Sequence, residues 1–503
     1  MTTDPVSTEQ MRVLELNAEY LGINLGVLMQ NAGREVARTI ERTEALAGKT
    51  VVVLCGLGGN GGDGMVAARH LLEDGATVEV YLIGSASNFT SSDTAFNWQI
   101  LGNLRDIKRD QLLTERDVKD CKSIAQADIL LDAMLGFGQK SKVREPMLTA
   151  VKAVNASKAR KYAVDIPTGI DSDTGSSYGS AVRADVTVTM HAPKAGLRTA
   201  AEYVGKIVVV PIGIPPEAER VCGPGDLWLF NRPRKPESKK GDFGRIVVVG
   251  GSDVYSGAPA LSGLAALRTG ADLVTIMVPE PVVSAVRAYS PNLMVRSLGT
   301  RVLTAQSIDT VLSVAETCDV IALGPGLGLE AETHDAVQAI VSKLAAKGKR
   351  MVIDADGLKA IAGSNIRLSR DSCVLTPHWG ELRILLQEKD ERGAELERRI
   401  AAAVKAADKF TSVILLKGAV DVVALPGGTH KLNRTGVPAM TVGGTGDVLT
   451  GIVAALLARG KTAFESAAAA AFISGKAGEA AFVDLGDHLT ATDCIAKIPS
   501  AMR

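Results

Sequence analysis

Several things are missing from this chain of 503 residues. It has no charge excess. The 56 basic residues stand against 56 acidic ones, which leaves no electrostatic footprint for nucleic acid or an anionic membrane. Cysteine is sparse: Cys55, Cys121, Cys222, Cys318, Cys373 and Cys494 are scattered, with no CxxC pair. That pattern argues against a metal knuckle or a disulfide frame and suits a reducing compartment. No uncharged apolar run reaches about 18 residues, so no membrane span is expected. Residues 1–9 lack the basic and apolar regions of a signal peptide. The expectation is a cytoplasmic protein with small-molecule substrates and neither nucleic acid nor membrane as partner. A homo-oligomer is the expected assembly.

What is abundant is glycine, with 51 residues in a chain that is 46% hydrophobic, as suits an α/β protein with many strand-to-helix turns. The length allows two to four domains. Residues 221–240 gather Gly223, Pro224, Gly225, Pro233 and Pro236 among mixed charges, which reads as a linker over 223–237. It would separate a domain at 1–222 from a domain at 238–503. Strands alternating with helical segments predict a doubly wound parallel sheet in each.

The stretch Gly443-Gly444-Thr445-Gly446-Asp447, followed by Val448, Leu449, Ile452, Val453, Leu456 and Leu457, is a glycine loop feeding an apolar helix. Such a loop lets backbone N–H groups converge on an anion, with the positive helix end behind them. Asp447, in the first turn, is placed to take a proton from a hydroxyl bound there. A plain helix cap is the alternative use of an aspartate at that position.

The first half contains a second such unit. A β-branched run at 50–55 ends in Gly56-Leu57-Gly58-Gly59-Asn60-Gly61-Gly62-Asp63-Gly64, and a helix is expected from Met65. Strand, glycine loop and helix bring backbone amides up to a pyrophosphate. A helix is also predicted over residues 25–37. Asp132 and Asp165 each close an apolar strand before a turn, at Asp132-Ala133-Met134-Leu135-Gly136-Phe137-Gly138 and Asp165-Ile166-Pro167-Thr168-Gly169. In an open α/β sheet the loops after the strands form the crevice, so these groups should converge.

Together with His191-Ala192-Pro193-Lys194-Ala195-Gly196, these motifs resemble the NAD(P)H-hydrate epimerase family, from about Met11 to Pro215. The resemblance implies a Rossmann-like three-layer sandwich. Asn60, Asp132 and Thr168 would be oxygen ligands for potassium. Asn60, Gly61, Gly62 and Asp63, with Gly136, Phe137 and Gly138, would hold the hydrated nucleotide. Asp165 would be the acid/base. The chain departs from the family at Gly59, usually asparagine, and at Phe137, usually threonine.

In the second half, strand ends fall before Gly250, Gly324-Pro325-Gly326, Asp354-Ala355-Asp356, Thr376-Pro377-His378 and Lys417-Gly418. In order, they resemble the ADP-dependent NAD(P)H-hydrate dehydratase, a ribokinase-like three-layer sandwich, over about 238–499. That resemblance assigns Ala258, Gly326 and His378 to the hydrated nucleotide. It assigns Lys417, Gly418, Ala419, Val420, Asp421 and Gly446 to ADP or ATP with magnesium, and Asp447 to the chemistry. Asp354 and Asp356 are equally magnesium contacts or turn formers. Asn292 stands where the family is expected to carry glutamate. The implied function is repair of NADHX and NADPHX: epimerisation of the R and S hydrates, then dehydration of S with release of AMP and phosphate. Two other readings stay open, a kinase of a vitamin precursor or sugar and a first domain that binds without catalysing.

Overall fold

The computed structural model describes residues 4–139, 141–231, 233–388 and 395–503. The chain forms two compact units, Met1–Ala218 and Glu219–Arg503. The break thus falls a few residues before the expected linker. Within the second unit, Val221 bridges to Leu432, and a short helix, Pro224–Trp228, follows.

The first unit has seven strands: β1 (Thr50–Cys55), β2 (Thr77–Ile83), β3 (Ile107–Leu112), β4 (Ile129–Ala133), β5 (Arg160–Val164), β6 (Val186–Met190) and β7 (Lys206–Val210). Their order is β3-β2-β1-β4-β5-β6-β7, and every pairing is parallel. The central strand β1 is buried at all but its first residue, as a strand covered on both faces must be. The order reverses between β1 and β4, so a crevice opens beyond their carboxyl ends. Asp132 and the glycine segment both lie there.

Asn24 caps the helix Leu25–Glu41 by accepting from the Val27 amide. The next helix, Gly59–Glu73, starts six residues earlier than the sequence predicts. Asn60, Gly61, Gly62 and Asp63 therefore form its first turns and do not belong to a loop. The reason is steric. A Cβ on Gly61 would lie 2.0 Å from the Gly56 carbonyl oxygen, and one on Gly64 would lie 2.4 Å from the Ala133 Cβ. These glycines let the helix sit hard against β1 and β4. Gly64→Val should cost about 1–3 kcal/mol by overpacking, read as a lowered midpoint for the first unit in thermal unfolding.

The second unit holds β8 (Arg245–Val249), β9 (Leu273–Val278), β10 (Met294–Ser297), β11 (Val320–Leu323), β12 (Arg350–Ile353), β13 (Cys373–Leu375), β14 (Val413–Leu416), β15 (Asp421–Ala424) and β16 (His430–Asn433). Their order is β10-β9-β8-β11-β12-β13-β14-β15-β16. The run from β10 to β14 is parallel, and an antiparallel hairpin, β15 and β16, extends the far edge. A reversal between β8 and β11 again places a crevice beyond the strand ends.

Two apolar helices set the working end of this unit. Thr445–Leu457 is buried from Val448 to its last residue, and the alanine-rich Ala463–Leu485 buries every residue from Ser466 to Gly475. Small side chains allow the close approach. At Gly451, a Cβ would come within 2.1 Å of the Ser262 carbonyl oxygen on the helix Gly257–Arg268. The amino end of Thr445–Leu457 is thereby held at the crevice. Among the described residues, no helix is long and apolar enough to cross a membrane.

Candidate active sites

In the first unit a cavity of about 980 Å³ opens over the β1/β4 reversal. It is lined by Asn60, Asp63, Gly136, Phe137, Gly138 and Asp165, so the structure gathers most of the residues expected there. Gly61 and Gly62 lie behind it, where they let the helix pack. Asp132 and Thr168 form a buried pair. The Thr168 hydroxyl donates to Asp132 Oδ1 at 2.7 Å, and the Thr168 amide donates to Oδ2 at 2.8 Å. Burial pushes Asp132 up to about 6, and the Thr168 and Met134 donors pull the other way. Asn60 lies against Gly136, and its buried amide nitrogen has no hydrogen-bond partner.

Asp165 follows β5 in a left-handed conformation, φ 63°, which a non-glycine residue rarely adopts. Its Oδ1 accepts from Thr189 Oγ1 at 3.1 Å, from the Met190 amide at 3.2 Å and from Lys194 Nζ. Among the described residues no group donates to Oδ2, and Asp165 lines the cavity. Lys194 is fully buried, and its ammonium also donates to the Met190 carbonyl at 2.9 Å. A buried ammonium on Oδ1 fixes the orientation of the Asp165 carboxyl. Lys194 appears in the sequence only inside a motif, and Glu15 gives no local signal at all. The structure brings both to this cavity.

The second site centres on Asp354, which follows β12 and is buried. Its Oδ1 accepts from Lys417 Nζ at 2.9 Å, and its Oδ2 accepts from Thr450 Oγ1 at 2.7 Å. Thr450 lies one turn after Asp447, so Asp354 ties the helix carrying Asp447 to Lys417. A Cβ on Gly446 would lie 3.2 Å from Lys417 Nζ, which sets the ammonium at the helix amino end. There the loop amides, the helix dipole and Lys417 favour one anion. Burial weighs against the charge on Lys417, but Asp354 and Glu381 raise its pKa.

Asp447 is pushed up to about 7, first by burial and then by Asp354, with Lys417 opposing. The carboxyl is poised to exchange a proton near neutrality, as a general base requires. It does not serve as the helix cap, because the N-cap is Gly444 at φ 94°, with no side-chain cap hydrogen bond.

The remaining expected residues fall around this centre in different ways. Gly326 packs on Ala258, with a would-be Cβ 3.3 Å from the alanine's own. His378 caps the helix Trp379–Leu386 by accepting from the Glu381 amide at 3.3 Å, and its ring is 60% exposed. It also bridges to Lys417, which brings the two expected contacts side by side. Gly418, Ala419 and Val420 make the turn between β14 and β15. Asp421 closes that turn by accepting from the Gly418 amide at 2.9 Å. Asp356 accepts from the Gly328 amide at 3.0 Å and pairs with Lys359, so it holds a turn. Asn292 is exposed.

Two doubly wound α/β units, each with a glycine-rich helix start and a buried carboxyl at a topological switch point, define an α/β enzyme with two candidate sites. A family model described as NAD(P)H-hydrate dehydratase matches residues 246–500, and one described as YjeF-related protein N-terminus matches residues 25–196. The chain is 46% identical to a bifunctional NAD(P)H-hydrate repair enzyme of Pyrobaculum aerophilum, over 99% of this chain and 98% of that one. It is 42% identical to the enzyme of the same name from Hyperthermus butylicus, over 99% and 92%. Among solved structures it is similar to an ADP/ATP-dependent NAD(P)H-hydrate dehydratase from Bacillus subtilis co-crystallised with ATP and Mg2+. That match has 28% identity, a TM-score of 0.44, and covers 54% of this chain and 92% of that one. The chain belongs to the family of bifunctional NAD(P)H-hydrate repair enzymes.

Proposed function

We propose that this protein returns hydrated nicotinamide cofactors to use, with the first unit interconverting the R and S forms of NADHX and NADPHX and the second dehydrating S. The observation that carries the reading is the pair of carboxyls in unlike settings. Asp165 is fixed by a buried lysine, and Asp447 is poised near 7 at an anion-binding helix end.

In the second unit, Asp447 takes the proton of the ring hydroxyl, and the oxygen attacks the terminal phosphate of ADP. AMP leaves. The carbon–oxygen bond then breaks with loss of a ring proton, phosphate departs, and NAD(P)H is restored. Lys417 and the Gly446 backbone hold the phosphate charge as it moves. ATP would serve by the same contacts. Among the described residues no three metal-ligating side chains gather, so magnesium would be held chiefly by the nucleotide's own phosphates, with the Asp447 carboxyl beside it, and would neutralise phosphate charge.

In the first unit, potassium fits the pocket of Asp132. That buried carboxylate has only neutral hydrogen-bond partners, and the Asn60 side-chain oxygen lies against Gly136 on the loop that follows it. Asn60, Asp132 and Thr168 would hold the ion, which would supply positive charge beside the phosphates. The helix Gly59–Glu73 presents its amino end to the same charge.

The test is an R/S hydrate mixture with ADP or ATP, magnesium and potassium, followed by the absorbance of reduced nicotinamide. Full recovery is expected. No recovery with either nucleotide would remove the dehydratase reading and favour a kinase of small alcohols.

A further inference from the structure

Inverting a hydroxyl-bearing carbon requires the carbon–oxygen bond to break toward one face and re-form from the other. One carboxyl cannot serve both faces if it is held rigidly, and Asp165 is held by three donors on Oδ1 in a constrained left-handed turn. A second proton carrier has to come from another element of the fold. The cavity has one on the helix Thr8–Tyr20, outside the sheet and its strand-end loops. Met11, Arg12 and Glu15, one face of that helix, line it.

This helix is fastened to the site. The Val6 amide donates to the Pro193 carbonyl at 2.9 Å, and the Ala195 amide donates to the Val6 carbonyl at 3.1 Å, on either side of Lys194. Thr8 Oγ1 lies 2.7 Å from Ser172 Oγ, and both hydroxyls reach the Phe137 carbonyl oxygen. Glu15 accepts from Arg12 at 3.0 Å through Oε2, and among the described residues nothing donates to Oε1. The groups that act on Glu15 are Arg12 on its own helix, Asp63 on the helix Gly59–Glu73, and Asp165 and Lys194 beyond β5 and β6.

We propose that Glu15 is the second catalytic acid/base of the first site, working with Asp165 in a two-carboxyl epimerisation. This rests on the epimerase reading of that site. Protonated Glu15 gives its proton to the ring hydroxyl. The carbon–oxygen bond breaks as the ring-nitrogen lone pair forms the C=N bond, and water leaves. Water then adds from the other face and loses its proton to Asp165. The enzyme finishes with Glu15 ionised and Asp165 protonated, the form that runs the opposite conversion. Protons and water balance, and no co-reactant is needed. Burial raises Glu15 above the ordinary carboxylate value against the pull of Arg12, the direction an acid needs.

The test uses full-length protein and purified R hydrate without ADP, with formation of S followed by NMR. Glu15→Gln should slow epimerisation by about 10²–10⁴-fold, Glu15→Asp should restore part of the rate, and the pH profile should lose the limb that Glu15 supplies. Dehydration of S hydrate with ADP should be unchanged in both variants. Wild-type epimerisation by Glu15→Gln overturns the inference. So does a loss that Glu15→Asp does not relieve, with the pH profile kept, because that marks a packing role. Asp165→Asn separates the two levels. Full activity in that variant removes the epimerase reading itself, whereas an inactive Asp165→Asn beside an unimpaired Glu15→Gln removes only the role of Glu15.

Discussion

Asp447→Asn should leave the S hydrate unrepaired, with kcat lowered by about 10²–10⁴-fold and binding of the hydrate little changed. The amide cannot accept the hydroxyl proton, while Gly446, Lys417 and the helix end still hold the phosphates. The wild-type pH profile follows from the carboxyl's position near 7. Below that value the group is protonated and cannot act as base, so kcat should fall about tenfold per pH unit and level off above 7. Stability runs the other way. The folded-state value lies above the ordinary carboxylate value of about 3.9, so the ionised form burdens the fold. That burden is absent below pH about 4, grows through the window up to about 7, and is complete above it. Asp447→Asn should therefore unfold at a higher temperature than wild type at pH 8, with the difference gone near pH 4. A pH-independent kcat, or equal midpoints at pH 8, would count against the base assignment.

Asp165→Asn should abolish interconversion of the hydrates while sparing dehydration. With the R/S mixture and ADP, recovery should stop at the S share and then creep upward only as fast as the hydrates epimerise unaided. The loss should again be about 10²–10⁴-fold. The variant also takes the ion-pair partner from Lys194, which then lies fully buried with only neutral oxygens as hydrogen-bond partners. Breaking such a pair costs about 3–5 kcal/mol, so thermal unfolding must be measured beside activity. Asparagine tolerates the left-handed backbone at this position, which offsets part of the loss.

Much of this was legible in the residues. The β-branched run at 50–55 is a buried strand as read, and Asp132, Asp165, Gly326, Asp354 and His378 all fall at or just beyond the carboxyl ends of strands. Strand-end polarity survives as a signal because a parallel sheet hides everything except its carboxyl edge. The glycine segment 56–64 was legible as the link from β1 to a helix, but not in form. Its residues adopt no left-handed conformation and start a helix, because what they relieve is crowding, which depends on neighbours distant in sequence. The antiparallel hairpin β15–β16 gave no separate signal, being short and close to the preceding strand. Glu15 and Lys194 were out of reach for the same tertiary reason. An acidic residue on an amphipathic helix looks solvated until another chain segment covers it. Thr450 shows the limit most clearly, since nothing local marks a helix threonine as the partner of an aspartate 96 positions earlier.

The crowding around the first site's helix bears on how this chain tolerates genetic change. A Cβ at Gly56 would lie 1.8 Å from the Met134 carbonyl oxygen, and one at Gly62 would lie 2.5 Å from Met29, adding to the clashes at Gly61 and Gly64. Every missense change in a glycine codon introduces a Cβ. Four demands of this kind within nine residues outnumber the single codon of Asp165. In a random library, inactivation of the first unit should therefore arise more often from lost glycines than from lost acid/base groups, and such alleles should be temperature-sensitive before they are inert.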